Sequence, residues 1–485
     1  MMVLWIVLGL LAGLIAIALF RAVRFRPIPE GEPLPVPVDV DEEEAARNLA
    51  ALVQCHTVSH ADPALDDERE FDKLVALLPT LFPNVHRVCS LERIGSRGLL
   101  YHWSGNGDGA PLVLTAHYDV VPAEAERWEK PPFCGEIAGG IIFGRGTLDT
   151  KCTLSAALTA AETMIRKGYT PERDVYFCFA GNEEVMGSGA SQIVDVLEKR
   201  GVKPLMVMDE GGAIVEKVFP GVKQPCALIG VAEKGSVNYQ VAARSKGGHS
   251  SAPLVKTPVD TVARACVRMA DHPFPFRVTQ PAQLLLDGLA RHSSFLYRLI
   301  FANLWLFSPA LDAMCRKSGG EMNALFRTTT AFTVLRAGES ANVLPAEAQL
   351  TLNARVLPGE TIDGTLAALR DKVKDPSAEV SLLKGLPPSG CSGIDGQGYA
   401  ALKRTIGEIY PGVLVSPYLM IACSDARHYE RICAHVYRFS GMPLNTEERR
   451  MIHGVNEQIP VKKQADTVRF YLRLITNLCG EGKPA

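Results

Sequence analysis

Apolar and polar positions follow three different patterns along this chain. Residues 1–20 carry no charged side chain, and about twenty apolar residues in one helix match the hydrocarbon thickness of a bilayer. Arg21, Arg24 and Arg26 follow, and residues 27–37 hold five prolines, a composition that predicts an extended linker over 21–38. From residue 39 onward, short apolar runs alternate with stretches whose apolar residues recur three or four apart. The runs 111–116, 175–180 and 205–208 read as buried strands, and 151–167 and 188–199 as helices with Ala, Leu or Met on one face. Strand–helix alternation of this kind predicts βαβ units, hence an α/β fold with a mostly parallel central sheet.

The pattern changes after residue 233. Strict alternation at 236–241, and strand patterns near 332–334 and 349–352, flank helical stretches at 257–269 and 283–307. This predicts a smaller α+β domain over 234–355, inserted between the two parts of the first domain, 39–233 and 356–485. The segment 295–307, FLYRLIFANLWLF, is unusually apolar for such an insertion.

Candidate chemistry gathers where strands end. His117 and Asp119 stand two apart at the close of the run 111–116, so they share a face, as a metal ligand and its orienting partner do. Asp149 precedes a helical stretch, Glu183 and Glu184 follow the run 175–180, and Asp209 and Glu210 follow 205–208. In open α/β sheets ligands bind at the carboxyl ends of strands. Acidic groups crowded on one rim repel unless cations neutralise them, which points to a polynuclear metal centre.

Composition narrows the classes. At 485 residues and 47% hydrophobic, the chain has ample core for two to three domains, and a net charge of −2 gives no footprint for nucleic acid. Twelve cysteines without a Cys-x-x-Cys pair argue against a disulfide scaffold and favour a reducing compartment. The positive residues follow the apolar run rather than precede it, and no clear Ala-x-Ala cleavage site follows that run. This reads as a retained single-pass membrane anchor with the body on the cytoplasmic side. The alternative is a cleaved signal and a secreted or periplasmic protein.

The motifs TAHYDVVP (115–122), GRGTLDTK (144–151), GNEE (181–184), DEG (209–211), GGHS (247–250), ANVLP (341–345), NAR (353–355), SDARHY (424–429) and IHGVNE (452–457) occur in that order. In these the chain resembles the di-zinc aminoacylase and carboxypeptidase family, which includes carboxypeptidase S and the N-fatty-acyl-amino acid synthase/hydrolases. The resemblance runs from about Asp41 to Asn477. It implies that His117, Asp149 and Asp209 hold one zinc, and that Asp149 bridges to a second zinc completed by Glu184 and His453. Cobalt would suit the same oxygen-rich set. It further implies Glu183 as general base, Asp119 as the orienter of His117, and an inserted lid used for homodimerisation. His249 of that lid, frequently a partner's, would polarise the scissile carbonyl, while Asn342 and Arg355 would bind the substrate carboxylate. Cys152 and Cys423 depart from the family pattern, either as extra ligands or as small buried residues.

The expected activity is hydrolysis of N-acyl amino acids or short peptides bearing a free carboxylate. A biosynthetic N-deacetylase or desuccinylase, or an inactive membrane-tethered binding protein, are the competing expectations. The stretch 295–307 would be lid core or a dimer contact, or else a wall for a long acyl chain or a membrane-proximal surface.

Overall fold

The computed structural model describes residues 1–28, 31, 33–217 and 219–480. Among these, ten strands form one large sheet. Arg173–Ala180, Gly109–His117, Met206–Asp209 and Val436–Arg438 lie side by side and parallel at its centre. Gly98–Trp103 and Ser90–Ile94 add antiparallel strands on one flank. On the other, Cys226–Glu233 runs antiparallel to Val436–Arg438 and parallel to Leu414–Met420.

Central strands are apolar on both faces because both are covered. Leu112, Leu114, Phe177 and Met208 meet the helices Lys151–Arg166 and Val461–Cys479. The alternate residues Val113, Tyr176, Cys178 and Val207 meet Gly189–Lys199 on the opposite face. The parallel centre and its crossover helices are those the alternation predicts; the flanks make the whole sheet mixed.

A second sheet is antiparallel throughout, in the order Thr329–Arg336, Glu347–Val356, Gly235–Arg244, Ala378–Leu386. Pro258–Asp271 and Ile362–Val373 cover one face. Its fourth strand and second helix lie beyond Arg355, so the expected boundary at 355 falls inside this unit. Along Glu347–Val356 burial alternates residue by residue. Ala348, Leu350, Leu352, Ala354 and Val356 face the helices, which turns Asn353 and Arg355 the other way. Thr329–Arg336 is an edge strand with Phe332, Val334 and Leu335 exposed.

The helices from Gln280 to Leu325 do not join that sheet's core. Leu285, Leu286, Leu289, Phe301 and Leu311 pack with Phe219, Cys226 and Leu419 of the large-sheet body. The N-terminal apolar segment is one helix, Met2–Arg24. It continues past Phe20, since nothing in residues 21–24 breaks a helix, and so takes the first residues of the expected linker. Residues 29, 30 and 32 of that linker lie outside the described residues.

The chain crosses between the sheets at Glu233, a fully buried carboxylate. Its Oε1 accepts from Arg438 Nε and Nη2 (3.1 and 2.7 Å), and its Oε2 from Arg427 Nη2 and the Ser424 amide (both 2.8 Å). Burial opposes the charge, but Arg438 and Arg427 hold the carboxyl below its ordinary range. Glu233→Gln should therefore cost roughly 3–5 kcal/mol, because it leaves two buried guanidiniums short of their counter-charge. A lowered urea midpoint at unchanged slope would measure it.

Candidate metal centre

Five segments deliver the site. Gly109–His117 ends on His117, whose Nδ1 donates to the Asp119 carbonyl at 3.0 Å, so that Nε2 faces Asp149 Oδ1 at 3.1 Å. Asp149 opens the helix Lys151–Arg166 from the loop before it. Its second oxygen, Oδ2, lies 3.0 Å from His453 Nε2, and that nitrogen is also 3.1 Å from Glu184 Oε2. One carboxylate thus presents a separate oxygen to each of two histidines, the disposition of a bridging ligand. Ligand atoms of His117, Asp149 and Glu184 all lie within 4.8 Å of one another.

Glu183 and Glu184 follow Arg173–Ala180 in a turn whose two amides donate to Asp119, to Oδ1 at 3.1 Å and to Oδ2 at 3.2 Å. Asp119 is wholly buried. Its carbonyl makes the short contact to His117, while its own carboxylate stands 3.4 Å from that ring. One residue therefore sets both the imidazole and the paired glutamates. Glu183 Oε2 is 3.9 Å from His117 Nε2. Burial pushes the Glu183 carboxyl well above its usual range, His117 pulls it down, and Asp425, Glu210 and Glu184 push it up again.

Asp209 and Glu210 part company at the end of Met206–Asp209. Asp209 accepts from Thr115 Oγ1 at 2.5 Å through Oδ1, and its Oδ2 is buried without a hydrogen-bond partner. Glu210 lines a cavity of about 320 Å³ together with Asp149, Glu183, Glu184 and His453. Asp425 adds a further acid, its carboxyl raised first by burial and then by Asp209. In the sequence Glu210 stands out only as the neighbour of Asp209 at a strand end, and Asp425 only within the motif SDARHY; neither is given a role by pattern.

The donor set fits divalent cations. Glu184 Oε1 and Asp209 Oδ2 are buried oxygens with no hydrogen-bond partner among the described residues, and several carboxylates converge on two imidazoles. Oxygen with nitrogen, and no thiolate, is a set for a hydrolytic rather than a structural metal. Cys152 is buried, its Sγ donating to the Leu148 carbonyl at 3.4 Å within its own helix start. Cys423 lines the cavity but donates to the Lys234 carbonyl. Neither thiol joins the cluster.

Most of the remaining wall of the cavity is apolar, from Leu148, Ala213, Met420, Ala422, Met442, Leu444 and Ile452, with Ser440 and Cys423 among them. Gly211 keeps this side open. It sits at φ +117°, and a Cβ there would come within 2.6 Å of Met420. Arg355 approaches from the second sheet, Nη1 at 3.3 Å from Cys423 Sγ and Nε donating to Asn353 Oδ1 at 3.1 Å. His249 and Asn342 lie together elsewhere on that unit. Gly248–His249 pairs with Val343–Leu344, and the Ser250 amide donates to the Asn342 carbonyl at 3.1 Å. His249 is exposed, its ring hydrogen-bonded to Ser251, and neither residue lines the metal cavity.

With this geometry in hand, comparison with known proteins gives the class. Residues 113–477 match the model of peptidase family M20/M25/M40. The chain is 32% identical over 486 residues to probable carboxypeptidase S-like 2 of Dictyostelium discoideum, covering 97% of this chain and 93% of that one. It is 36% identical over 437 residues to the N-fatty-acyl-amino acid synthase/hydrolase PM20D1 of Xenopus tropicalis, covering 88% and 85%. The M20 family metallo-carboxypeptidase Sso-CP2 of Sulfolobus solfataricus shares its fold, with a TM-score of 0.64 at 18% identity over 90% of this chain and 99% of that one. The chain belongs to peptidase family M20/M25/M40 and is a hydrolase of the metallopeptidase class.

Because Asp119 fixes both His117 and the Glu183–Glu184 turn, Asp119→Asn should weaken metal retention by about 10–100-fold. Titration against a graded series of chelators, with metal counted by elemental analysis, checks this.

Proposed function

We propose that this enzyme hydrolyses the amide bond of N-acyl amino acids with long apolar acyl groups, releasing the amino acid and the fatty acid. One observation carries the reading: a single cavity joins the metal-ligand cluster to an apolar wall built by Met420, Met442, Leu444 and Ile452. Similarity to an N-fatty-acyl-amino acid synthase/hydrolase supports it, and a biosynthetic deacetylase would have no use for such a wall.

Two zinc ions would be held, one by His117, Asp149 and Glu210, the other by Asp149, Glu184 and His453. Glu210 is preferred to Asp209 because its carboxylate lines the cavity with the other ligands, whereas Asp209 does not line it and gives Oδ1 to Thr115, keeping only the buried Oδ2 free. Such a pair supplies Lewis acidity and makes water acidic enough to be deprotonated near neutral pH. Glu183, raised in pKa beside the cluster, takes the proton from the attacking water and hands it to the departing amine nitrogen. Arg355 would pair with the substrate carboxylate, a partner that a guanidinium grips with two parallel hydrogen bonds.

Completion of the site by a second copy accounts for the rest. His249 and Asn342 stand outside the cavity, and the exposed edge strand Thr329–Arg336, with Phe332 and Leu335 bare, is suited to pairing with its twin. In a homodimer so formed, His249 of one protomer would polarise the scissile carbonyl of the other. The helix Met2–Arg24 would anchor the enzyme in a membrane, being long and apolar enough to cross one.

Three outcomes test the reading. Glu183→Gln should keep both metals by elemental analysis while turnover falls by about 10²–10⁴-fold or more, as loss of a general base does. Glu210→Gln should lose one metal equivalent, whereas Asp209→Asn retains both; the reverse result would return the ligand role to Asp209. Across N-acyl phenylalanines from acetyl upward, kcat/KM should rise about fourfold per methylene, the equivalent of roughly 0.8 kcal/mol each. A flat series would reassign the enzyme to short peptides.

A further inference from the structure

The apolar helices 295–318 lie far in sequence from the N-terminal helix yet are packed on it. Leu14, Ala18, Ala22 and Phe25 form a stripe three or four residues apart, and only this stripe of the helix and its cap is shielded by the body. The contact is specific. Asn303, fully buried, donates through Nδ2 to the Ala18 carbonyl at 3.0 Å, and Arg21 Nε donates to the Ala302 carbonyl at 3.0 Å. Arg291 stacks on Phe25 with its guanidinium 4.5 Å from the ring centre. Small residues at Ala18 and Ala22 allow this close approach of helices.

The level of that contact decides what surrounds it. At 1.5 Å per residue, the uncharged residues 1–20 span about 30 Å, the full hydrocarbon thickness. The far boundary of the hydrocarbon therefore falls near Phe20 and Arg21, and the contact at Ala18 lies just inside it. Phe295, Leu296, Tyr297 and Trp305 flank this contact on Phe295–Phe301 and the first turn of Leu304–Ser318, and stay 37–66% exposed. Arg21 bonds to Ala302, Arg24 stacks on Phe20, the Arg26 carbonyl accepts from Arg291 and Arg298 stacks on Phe295, a basic rim suited to phosphate headgroups.

We infer that the helical pair 295–318 is a second membrane contact, seated with Phe295, Leu296, Tyr297 and Trp305 in the acyl–headgroup boundary of the leaflet through which the N-terminal helix emerges. This rests on the reading of Met2–Arg24 as a bilayer anchor and extends it. The body is held against the lipid at two places, so it cannot swing freely on a linker. Aromatic and leucine side chains at a basic rim are the composition of interfacial helices.

The test uses the full chain in vesicles of phosphatidylcholine and phosphatidylglycerol, with and without brominated acyl chains, which quench tryptophan on contact. Trp5→Phe compared with Trp5→Phe/Trp305→Phe isolates Trp305; Trp305→Phe compared with the same double variant isolates Trp5. Trp103 and Trp128 are common to all three. Both isolated emissions should be lost in brominated vesicles, and that of Trp305 should resist aqueous acrylamide. A tryptophan placed by Leu296→Trp in the double variant should behave as Trp305 does, a second reading on the same surface. Quenching of Trp5 alone, with Trp305 open to acrylamide, would overturn the inference and leave the anchor standing. Trp305 shielded from both quenchers would also overturn it, as a surface covered by protein. If Trp5 itself escapes bromine, the anchor reading fails and the inference falls with it.

Discussion

Glu457 is the interaction on which the site depends. Its carboxylate is fully buried, and Oε1 accepts the amides of Gly146, Leu148 and Asp149 at 3.0, 2.7 and 3.3 Å. Oε2 takes Arg145 Nη1 at 2.7 Å, and the other arm of that guanidinium donates to the Gly454 carbonyl at 2.7 Å. An unpaired buried carboxylate would cost several kcal/mol. Burial does push the Glu457 carboxyl up, with Arg145 and the Leu148 amide pulling it down. What these bonds connect is the loop of Asp149 with the turn of His453, segments about 300 residues apart that must meet within 3.0 Å. His453 and Asn456 are both held at φ +57°, a conformation costing about 1–2 kcal/mol for residues with a side chain. The Glu457 network compensates for that strain.

Asp119 performs the same service on the other side of the cavity, tying His117 to the glutamate pair. Each half of the candidate metal centre is thus built from a ligand segment and one buried carboxylate that has no place among the ligands. Preorganisation of this kind keeps mutually repelling carboxylates at short range before any cation arrives. It also separates the duties of acidic residues by surroundings alone: Asp119 is held by backbone amides and Glu457 by amides and Arg145, while Glu183 and Glu210 are left facing the cavity.

That separation explains what could be read in the sequence. His117, Asp119, Asp149, Glu183 and Glu184 were legible because strand ends and helix starts are local events, and the structure brings them together with His453. The resemblance puts Asp209 among the ligands, while pattern alone does not separate it from its neighbour Glu210. The strand pleat sends successive side chains to opposite faces, and here Asp209 Oδ1 meets Thr115 while Glu210 lines the cavity. The stretch 295–307, for which lid core, dimer contact, acyl wall and membrane-proximal surface are all open by pattern, does not line the metal cavity. The apolar side of that cavity comes from Met420, Met442, Leu444 and Ile452, single residues of separate segments with no shared period. The second sheet extends past the expected boundary at 355, because its fourth strand is Ala378–Leu386. Ala378–Leu386 is half exposed, and its weak alternation hides a strand that only pairing with Gly235–Arg244 defines. The partner of 295–307 was equally hidden, since an apolar helix face does not encode what covers it.

The position of that helical layer has one more consequence. Lys234, the residue at which the chain leaves the large sheet for the second, is buried with its ammonium donating to the Ala324 and Arg327 carbonyls at 2.9 and 2.8 Å. Ala324 belongs to Gly320–Leu325 and Arg327 follows it, at the end of the helical layer whose Ala302 and Asn303 bond to the N-terminal helix. Burial lowers the Lys234 pKa to about 7, so the carbonyls steady a charge that is costly to keep there. The pivot of the second sheet is therefore bonded on one side to Glu233, with its buried arginines, and on the other to the layer packed on the apolar N-terminal helix. Arg355, carried by that sheet toward Cys423 and the cavity, is positioned through the same junction. The N-terminal helix, the crossing at 233–235 and the approach of Arg355 to the site are thus linked by a run of contacts in which buried charges are satisfied by backbone carbonyls and guanidiniums, beside the apolar packing.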